Sequence, residues 1–271
     1  MTLRHRYLSF MVWAFVAALM PAYATTVSVR VTVRNLGPAG GVFITPVWVG
    51  FHNGSFDIYD LGSPASTALE RLAEDGDTMP IASALLASGT GTVEGTIFGP
   101  TIPQIGPGES TSMIFSLDSM SASSRYFSYA SMIIPSNDAF IANANPTFFP
   151  VFDMTGGFLG GSFIVSGGMV RDAGTEVNDE IPMNTAFFGQ TTPNTGTTEN
   201  GVVTIHPGFL PPGSGGILDS PMFANANFKA AGYQVAQITV EAIPEPATLG
   251  LAGAALAVAM VAVRIRRKPS N

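Results

Sequence analysis

Residues 26–34 read Thr-Val-Ser-Val-Arg-Val-Thr-Val-Arg: Val27, Val29, Val31 and Val33 fall on one side and Ser28, Arg30, Thr32 and Arg34 on the other. A strict period of two does not suit an amphipathic helix and marks a strand with one buried face. Such a strand commits the chain to a sheet whose apolar side must be covered by a second layer. Further strand-like runs fall at residues 42–49, 110–117, 127–134, 162–170, 202–206 and 233–240, separated by Gly, Pro, Asn and Ser clusters. Helical signals are few. Ser63-Pro64 reads as a cap followed by proline at the first helical position, residues 65–74 carry Leu69 and Leu72 at helical spacing, and Gly76 ends the segment. Residues 81–87 form a second short candidate. The pattern predicts an all-β fold, an antiparallel sandwich with one or two short helices in its loops. Residues 191–200 and 210–216 read as loops, the first rich in Thr, Asn and Gly, the second in Pro and Gly.

Both ends of the chain differ from this body. Arg4, His5 and Arg6 precede an apolar stretch over residues 8–20, and Ala22-Tyr23-Ala24 has the small-x-small form of a cleavage site. Residues 1–24 are therefore expected to be a signal peptide. At the other end Pro244-Glu245-Pro246 precedes an apolar run over residues 247–263 and the cluster Arg264, Arg266, Arg267 and Lys268. That run is at the short end of what spans a bilayer as a helix, and a basic flank stays in the cytoplasm. The body, residues 25–242, is then expected on the outer side of the inner membrane as one domain, with a tail over residues 243–271.

Between Thr25 and Pro246 six cations face nineteen acids, a net charge of −13. So acidic a body repels nucleic acid and anionic lipid and attracts cations. With no basic stripe interleaved with aromatics, nucleic-acid binding is set aside. The chain has no cysteine, which removes thiol catalysis, thiolate zinc sites and iron–sulfur clusters. An exported body of this kind must rely on a large apolar core.

Chemistry-bearing residues concentrate in two segments. In Asp172-Ala173-Gly174-Thr175-Glu176 two carboxylates flank a glycine that can take positive φ and fold them together, and Asn178, Asp179 and Glu180 add oxygens. Pro135-Ser136-Asn137-Asp138 closes the apolar strand before it. Oxygen-rich loops of this kind suit a hard cation such as calcium; they are equally the composition of ordinary Asx turns. Catalysis has little to stand on. His52 and His206 have no nucleophile tied to them, and no Gly-x-Ser-x-Gly elbow occurs. Residues 89–95 are glycine-rich without dinucleotide spacing and read as a hairpin or loop. Glu70, Glu74, Asp75 and Asp77 read as the solvated end of a helix, and Trp48 as a core residue.

The run Tyr126-Phe127-Ser128-Tyr129-Ala130-Ser131-Met132-Ile133-Ile134-Pro135-Ser136-Asn137-Asp138, followed by Asp172-Ala173-Gly174-Thr175-Glu176, resembles the spondin N-terminal domain. His52-Asn53-Gly54-Ser55-Phe56-Asp57 and Leu69-Glu70-Arg71-Leu72-Ala73-Glu74-Asp75-Gly76 are similar to its bacterial members. The resemblance implies an eight-stranded antiparallel β-sandwich that binds Ca2+ at one end, with Asp138, Asp172 and Glu176 as ligands. The chain departs from the family in carrying Ala139 where animal members have Trp, and Glu176 where they usually have Asp.

Ile243-Pro244-Glu245-Pro246-Ala247-Thr248, the apolar run and the basic end resemble the PEP-CTERM sorting signal, whose partner is an exosortase that removes the helix. The two resemblances together imply an exported, non-catalytic cell-surface or biofilm-matrix protein, with calcium binding and adhesion implied by the spondin-like body and export and processing by the tail. Its partners would be extracellular polysaccharide or surface protein, and its precursor would be anchored in the inner membrane facing the periplasm. A hydrolase acting on extracellular polysaccharide and a metal-free structural matrix protein are the alternatives.

Overall fold

The computed structural model describes residues 26–244. The expected signal peptide, the apolar run, and Glu245 and Pro246 lie outside the described residues. Within them the strands are β1 (Thr26–Asn35), β2 (Phe43–Ile44), β3 (Val47–His52), β4 (Val93–Ile97), β5 (Ser110–Asp118), β6 (Tyr126–Ile134), β7 (Ala139–Ala142), β8 (Phe149–Pro150), β9 (Gly161–Ser166), β10 (Arg171–Asp172), β11 (Thr204–Ile205) and β12 (Gln234–Ala242). The two α-helices are α1 (Thr67–Asp75) and α2 (Met79–Ser88). No helix among the described residues is long and apolar enough to cross a membrane.

The strands form two antiparallel sheets. One has the order β5-β1-β12-β9; the other runs β11-β10-β7-β6-β3-β4, with β2 and β8 paired to β6. The twelve strands, four in one sheet and eight in the other, make the antiparallel β fold expected, with more strands than the eight the resemblance implies because four of them are only two residues long. The alternation in β1 works as the sequence predicts. Val29, Val31 and Val33 are fully buried and share one core with Val47, Val49 and Phe51 of β3 and Phe127 and Tyr129 of β6. Arg30 stays on the outer face and pairs with Glu241 of β12 at 3.0 Å.

A third layer covers the outer face of the larger sheet. Trp48, Ala130 and Phe140 point away from the sandwich core and are buried by Leu69 and Leu72 of α1 and Leu85 of α2. Trp48 is thus a core residue, but of this second cluster. Ser66 rather than Ser63 caps α1, its hydroxyl accepting the Leu69 N–H at 3.2 Å, because the turn through Asp60 and Ser63 holds the chain outside the helix until then. Gly76 closes α1 as read, at φ 67°.

Two other segments differ from expectation. The run over residues 162–170 breaks at Ser166: Gly167 lies where a Cβ would overlap the Phe228 carbonyl, a single 3-10 turn follows, and the chain re-enters the other sheet as β10. The glycine-rich segment over residues 89–95 supplies the start of β4, which pairs with β3 from Val47↔Ile97 to Phe51↔Val93.

The register sorts the loops into two ends. Thr26 pairs with Asp118 and Val29 with Ala242, so the start of β1 and the exits of β5 and β12 share one end. The exit of β6, the entry of β7 and β10 share the other.

Candidate functional site

Asp138, Asp172 and Glu176 all lie at the end opposite the exit of β12. Asp138 sits between β6 and β7 in a turn fixed by Ser136, whose hydroxyl donates to Ile133 O (2.6 Å) and accepts from Ala139 N (3.1 Å). Asp172 ends β10, which pairs with β7 through Asp172↔Ala139 and so brings the second acid beside the first. Gly174 then turns the chain at φ 67°, a position where a Cβ would come within 2.6 Å of the Val202 backbone. Glycine is required there for both the dihedral and the space. The turn aims backbone N–H groups at the carboxylates. Asp138 Oδ2 accepts from Thr175 N (2.8 Å), Thr175 Oγ1 (3.2 Å) and Glu176 N (3.1 Å). Asp172 accepts from Gly174 N (2.7 Å) and Asn178 Nδ2 (2.6 Å).

Glu176 turns toward α1. Its Oε1 accepts from Gly196 N at 2.8 Å, an approach that a Cβ at residue 196 would block. The charges around it are those of Glu74, Asp138 and Asp75. Glu74 is buried rather than solvated, because the last turn of α1 packs beneath the loop that carries Thr175. Asp75 is ion-paired with Arg71 and also accepts from Asn194 N (2.9 Å). The loop over residues 191–200 is therefore exposed, as its composition predicts, yet strapped to the acids by its backbone.

Burial sets the electrostatics. It pushes the Asp138 carboxyl up to about 7, with the Asp172 charge adding to it and the donors from Thr175 and Glu176 opposing it. Burial first, then the charge of Glu74, pushes Glu176 up to about 8. Asp172 and Glu74 are raised by the same desolvation. The register of β10 on β7 sets Asp172 beside the turn that carries Asp138, and the Asp172 charge disfavours ionisation of Asp138.

Among the three candidate ligands two buried oxygens have no donor, Asp138 Oδ1 and Glu176 Oε2; Asp75 Oδ2 beside them is met by Arg71. An ionised oxygen left unpaired in the interior is costly, and a hard cation or a proton supplies what is missing. The donor set is all oxygen, which fits calcium, and Asp138 with Asp172 fits a shared ion. The described residues contain no group of three or more His, Asp or Glu side chains arranged to hold a metal ion. Beside Gly174 and Thr175 a surface pocket of about 260 Å3, flanked by Glu70, Thr198 and Asn200, opens to solvent.

The other oxygens of this segment have partners. Asn178 donates to Asp172; Asp179 accepts from Asn137 Nδ2 (3.2 Å) and Asn184 Nδ2 (2.7 Å). Glu180, buried at φ 53°, accepts from Leu210 N and from Ile217 N (2.7 Å), pinning the Pro/Gly-rich loop. Sequence reasoning missed Glu74 as a member of the cluster and Glu180 as a clamp. The helical period gave no signal for Glu74: it falls beside Glu70 and Arg71, away from Leu69 and Leu72, and it is buried by the loop that carries Thr175.

Both histidines are packed. Gly54 N–H donates to His52 Nδ1 (3.0 Å), so Nε2 carries the hydrogen toward Ser128 Oγ at 2.8 Å. His206 Nδ1 accepts from Gly208 N (3.0 Å), and its ring stacks edge-on against Phe209 and Phe228. Burial lowers both to about 4.

Residues 242–268 match the PEP-CTERM protein-sorting motif. No curated protein matches the chain. The motif indicates an exported protein whose tail is recognised by an exosortase and which is held in the membrane until it is processed. It begins on the last residue of β12. Ile243 N–H still donates to Ser28 O (2.8 Å), and Pro244 follows it directly.

Proposed function

We propose that the chain is an exported, non-catalytic surface or matrix β-sandwich of the spondin N-terminal type, released by exosortase processing, whose acid end binds Ca2+. The observation that carries the calcium reading is the donor-less Asp138 Oδ1, fully buried beside the Asp172 carboxyl. Asp138 and Asp172 would hold the ion, with Glu176 and loop carbonyls as further oxygens. The cation would supply the positive charge that lets both aspartates ionise, and the loops through Thr175 and Gly196 would be ordered around it for adhesion to polysaccharide or to another surface protein. Extracellular calcium modules bind on the order of 0.1–1 mM, which suits a site that fills outside the cell.

A calcium titration of the full chain in detergent at pH 7, followed by proton release, tests this. Saturable binding with protons released is expected, because ionising a carboxyl raised to about 7 frees a proton. Asp138→Asn keeps the oxygen that accepts from Thr175 and gives Asp172 a donor, so this variant is expected to fold and to bind no calcium. Equal binding by parent and variant would contradict the assignment.

A further inference from the structure

Met120, Met154 and Leu159 are 56%, 75% and 51% exposed, and all three lie at the end where β12 exits. Met120 lies two residues past Asp118, the last residue of β5, and its N–H donates to Asp118 Oδ1 (2.9 Å). Its sulfur lies against the turn through Gly156, where a Cβ would come within 2.8 Å. Met154 projects from that same turn, which Asp153 holds by accepting from Thr155 N (2.7 Å) and Gly157 N (2.9 Å). Leu159 lies just ahead of Gly161, the partner of Val240 in β12, and is fixed by its N–H on Val151 O (2.8 Å).

Exposed methionines also occur at the other end, Met183 and Met222 among them, so apolarity alone does not distinguish this rim. The tail does. Ile243 is still tied to β1, and the apolar run starts at Ala247, which leaves only Pro244, Glu245 and Pro246 between folded sheet and apolar segment. Three extended residues reach about 10 Å. The two prolines shorten the choice of paths further by fixing their own φ. Once the apolar run enters a bilayer, this end of the sandwich cannot move far from the headgroups.

We infer that Met120, Met154 and Leu159 form a membrane-seating rim: in the precursor they dip into the lipid interface, and the sandwich stands on the bilayer with its acid end pointing away. The inference rests on the sorting reading of the tail and adds to it a defined orientation. Unbranched methionine and leucine side chains bury apolar area in the interface with little need for a shaped pocket. Asp118 and Asp153 sit beside them, but each carboxylate is turned back onto its own loop's N–H groups. An uncharged, zwitterionic lipid surface is therefore the partner that fits. Held this way, Pro244-Glu245-Pro246 would lie at the bilayer surface, where a membrane-embedded peptidase works.

The absence of cysteine makes the test direct. Single cysteines are introduced as Met120→Cys, Met154→Cys and Leu159→Cys, with Met222→Cys as a far-end control. Each carries an environment-sensitive fluorophore, and the full chain is reconstituted into phosphatidylcholine vesicles containing bromine-labelled acyl chains. The rim labels are expected to shift to shorter wavelength and to be quenched by the bromolipid, while the Met222→Cys label keeps the emission it has in detergent-free buffer. Flotation separates the two ways of failing. A chain that does not float with the vesicles overturns the anchored-tail reading and this inference with it. A chain that floats while its rim labels respond no more than the control overturns the inference alone.

Discussion

At one end of the sandwich Asp138, Asp172, Glu176 and Glu74 are acids taken out of water; at the other, Met120, Met154 and Leu159 are apolar side chains left in it. The acid end is built from long loops. Backbone N–H groups of residues 174–176, 194 and 196 reach the carboxylates from separate turns, and even so two oxygens have no donor. The tail end is built from short turns, each closed by its own aspartate, and backbone bonds such as Val151 N–H on Arg125 O (2.8 Å) tie them to the neighbouring strands. Each end lacks a partner of the opposite kind. Protons or a cation relieve the first, and a lipid surface relieves the second. The fold can hold both because the sheets between them share one apolar core that owes little to either end.

The largest effect should come from cutting the acid end's strap. Glu180→Ala removes the acceptor of two backbone N–H groups and frees the loop over residues 210–217. Hydrogen bonds to a buried carboxylate contribute about 1.5–3 kcal/mol each, so urea melts should report a loss of about 3–5 kcal/mol. A loss below about 1 kcal/mol would mean that the loop is held by packing alone, and the contrast between an end held through buried carboxylates and one held by backbone bonds would weaken. The smallest effect should come from the rim. Met120→Ser, Met154→Ser and Leu159→Ser combined should lower the unfolding free energy from urea melts by no more than about 0.5 kcal/mol per site, since exposed side chains contribute little to folding. A larger loss would show that the rim serves the fold itself, and the two ends would then differ less than their structures suggest.

How much of this was legible in the sequence follows from what each signal depends on. The period of two in β1 depends only on which side faces the core, and it placed Val29, Val31 and Val33 correctly. The run over residues 162–170 reads as one strand because composition cannot say which sheet a strand joins; the close passage of Gly167 by Phe228 decides that. Asp138, Asp172 and Glu176 were legible as acids near turns. That Asp172 is set beside Asp138 follows from the register of β10 on β7, a long-range pairing with no local signature. Glu74 looked solvated because it sits in a run of charges on the polar side of α1, yet the loop that carries Thr175 packs over it, a long-range contact with no local signature. Pro244 was legible as part of a sorting motif; that the fold continues up to its doorstep was not.

The measurement that bears most directly on the central claim is thermal stability against pH, in chelator and in 10 mM calcium, between pH 6.5 and 8. His52 and His206, lowered from 6.5 to about 4, lose stability on acidification through that interval, so at the acid edge of the window their remaining effect is a rise with pH, opposite in sign to the fall expected of the acids. Asp138 and Glu176, raised from ordinary values near 4 to about 7 and about 8, contribute stability at low pH and lose it as pH rises through the raised values. In chelator the melting temperature should therefore fall across the window. Calcium should remove that fall, giving at pH 8 a gap of about 1.4–2.7 kcal/mol, or roughly 3–10 °C, for a dissociation constant of about 0.1–1 mM. Two flat, superimposable curves would contradict the account.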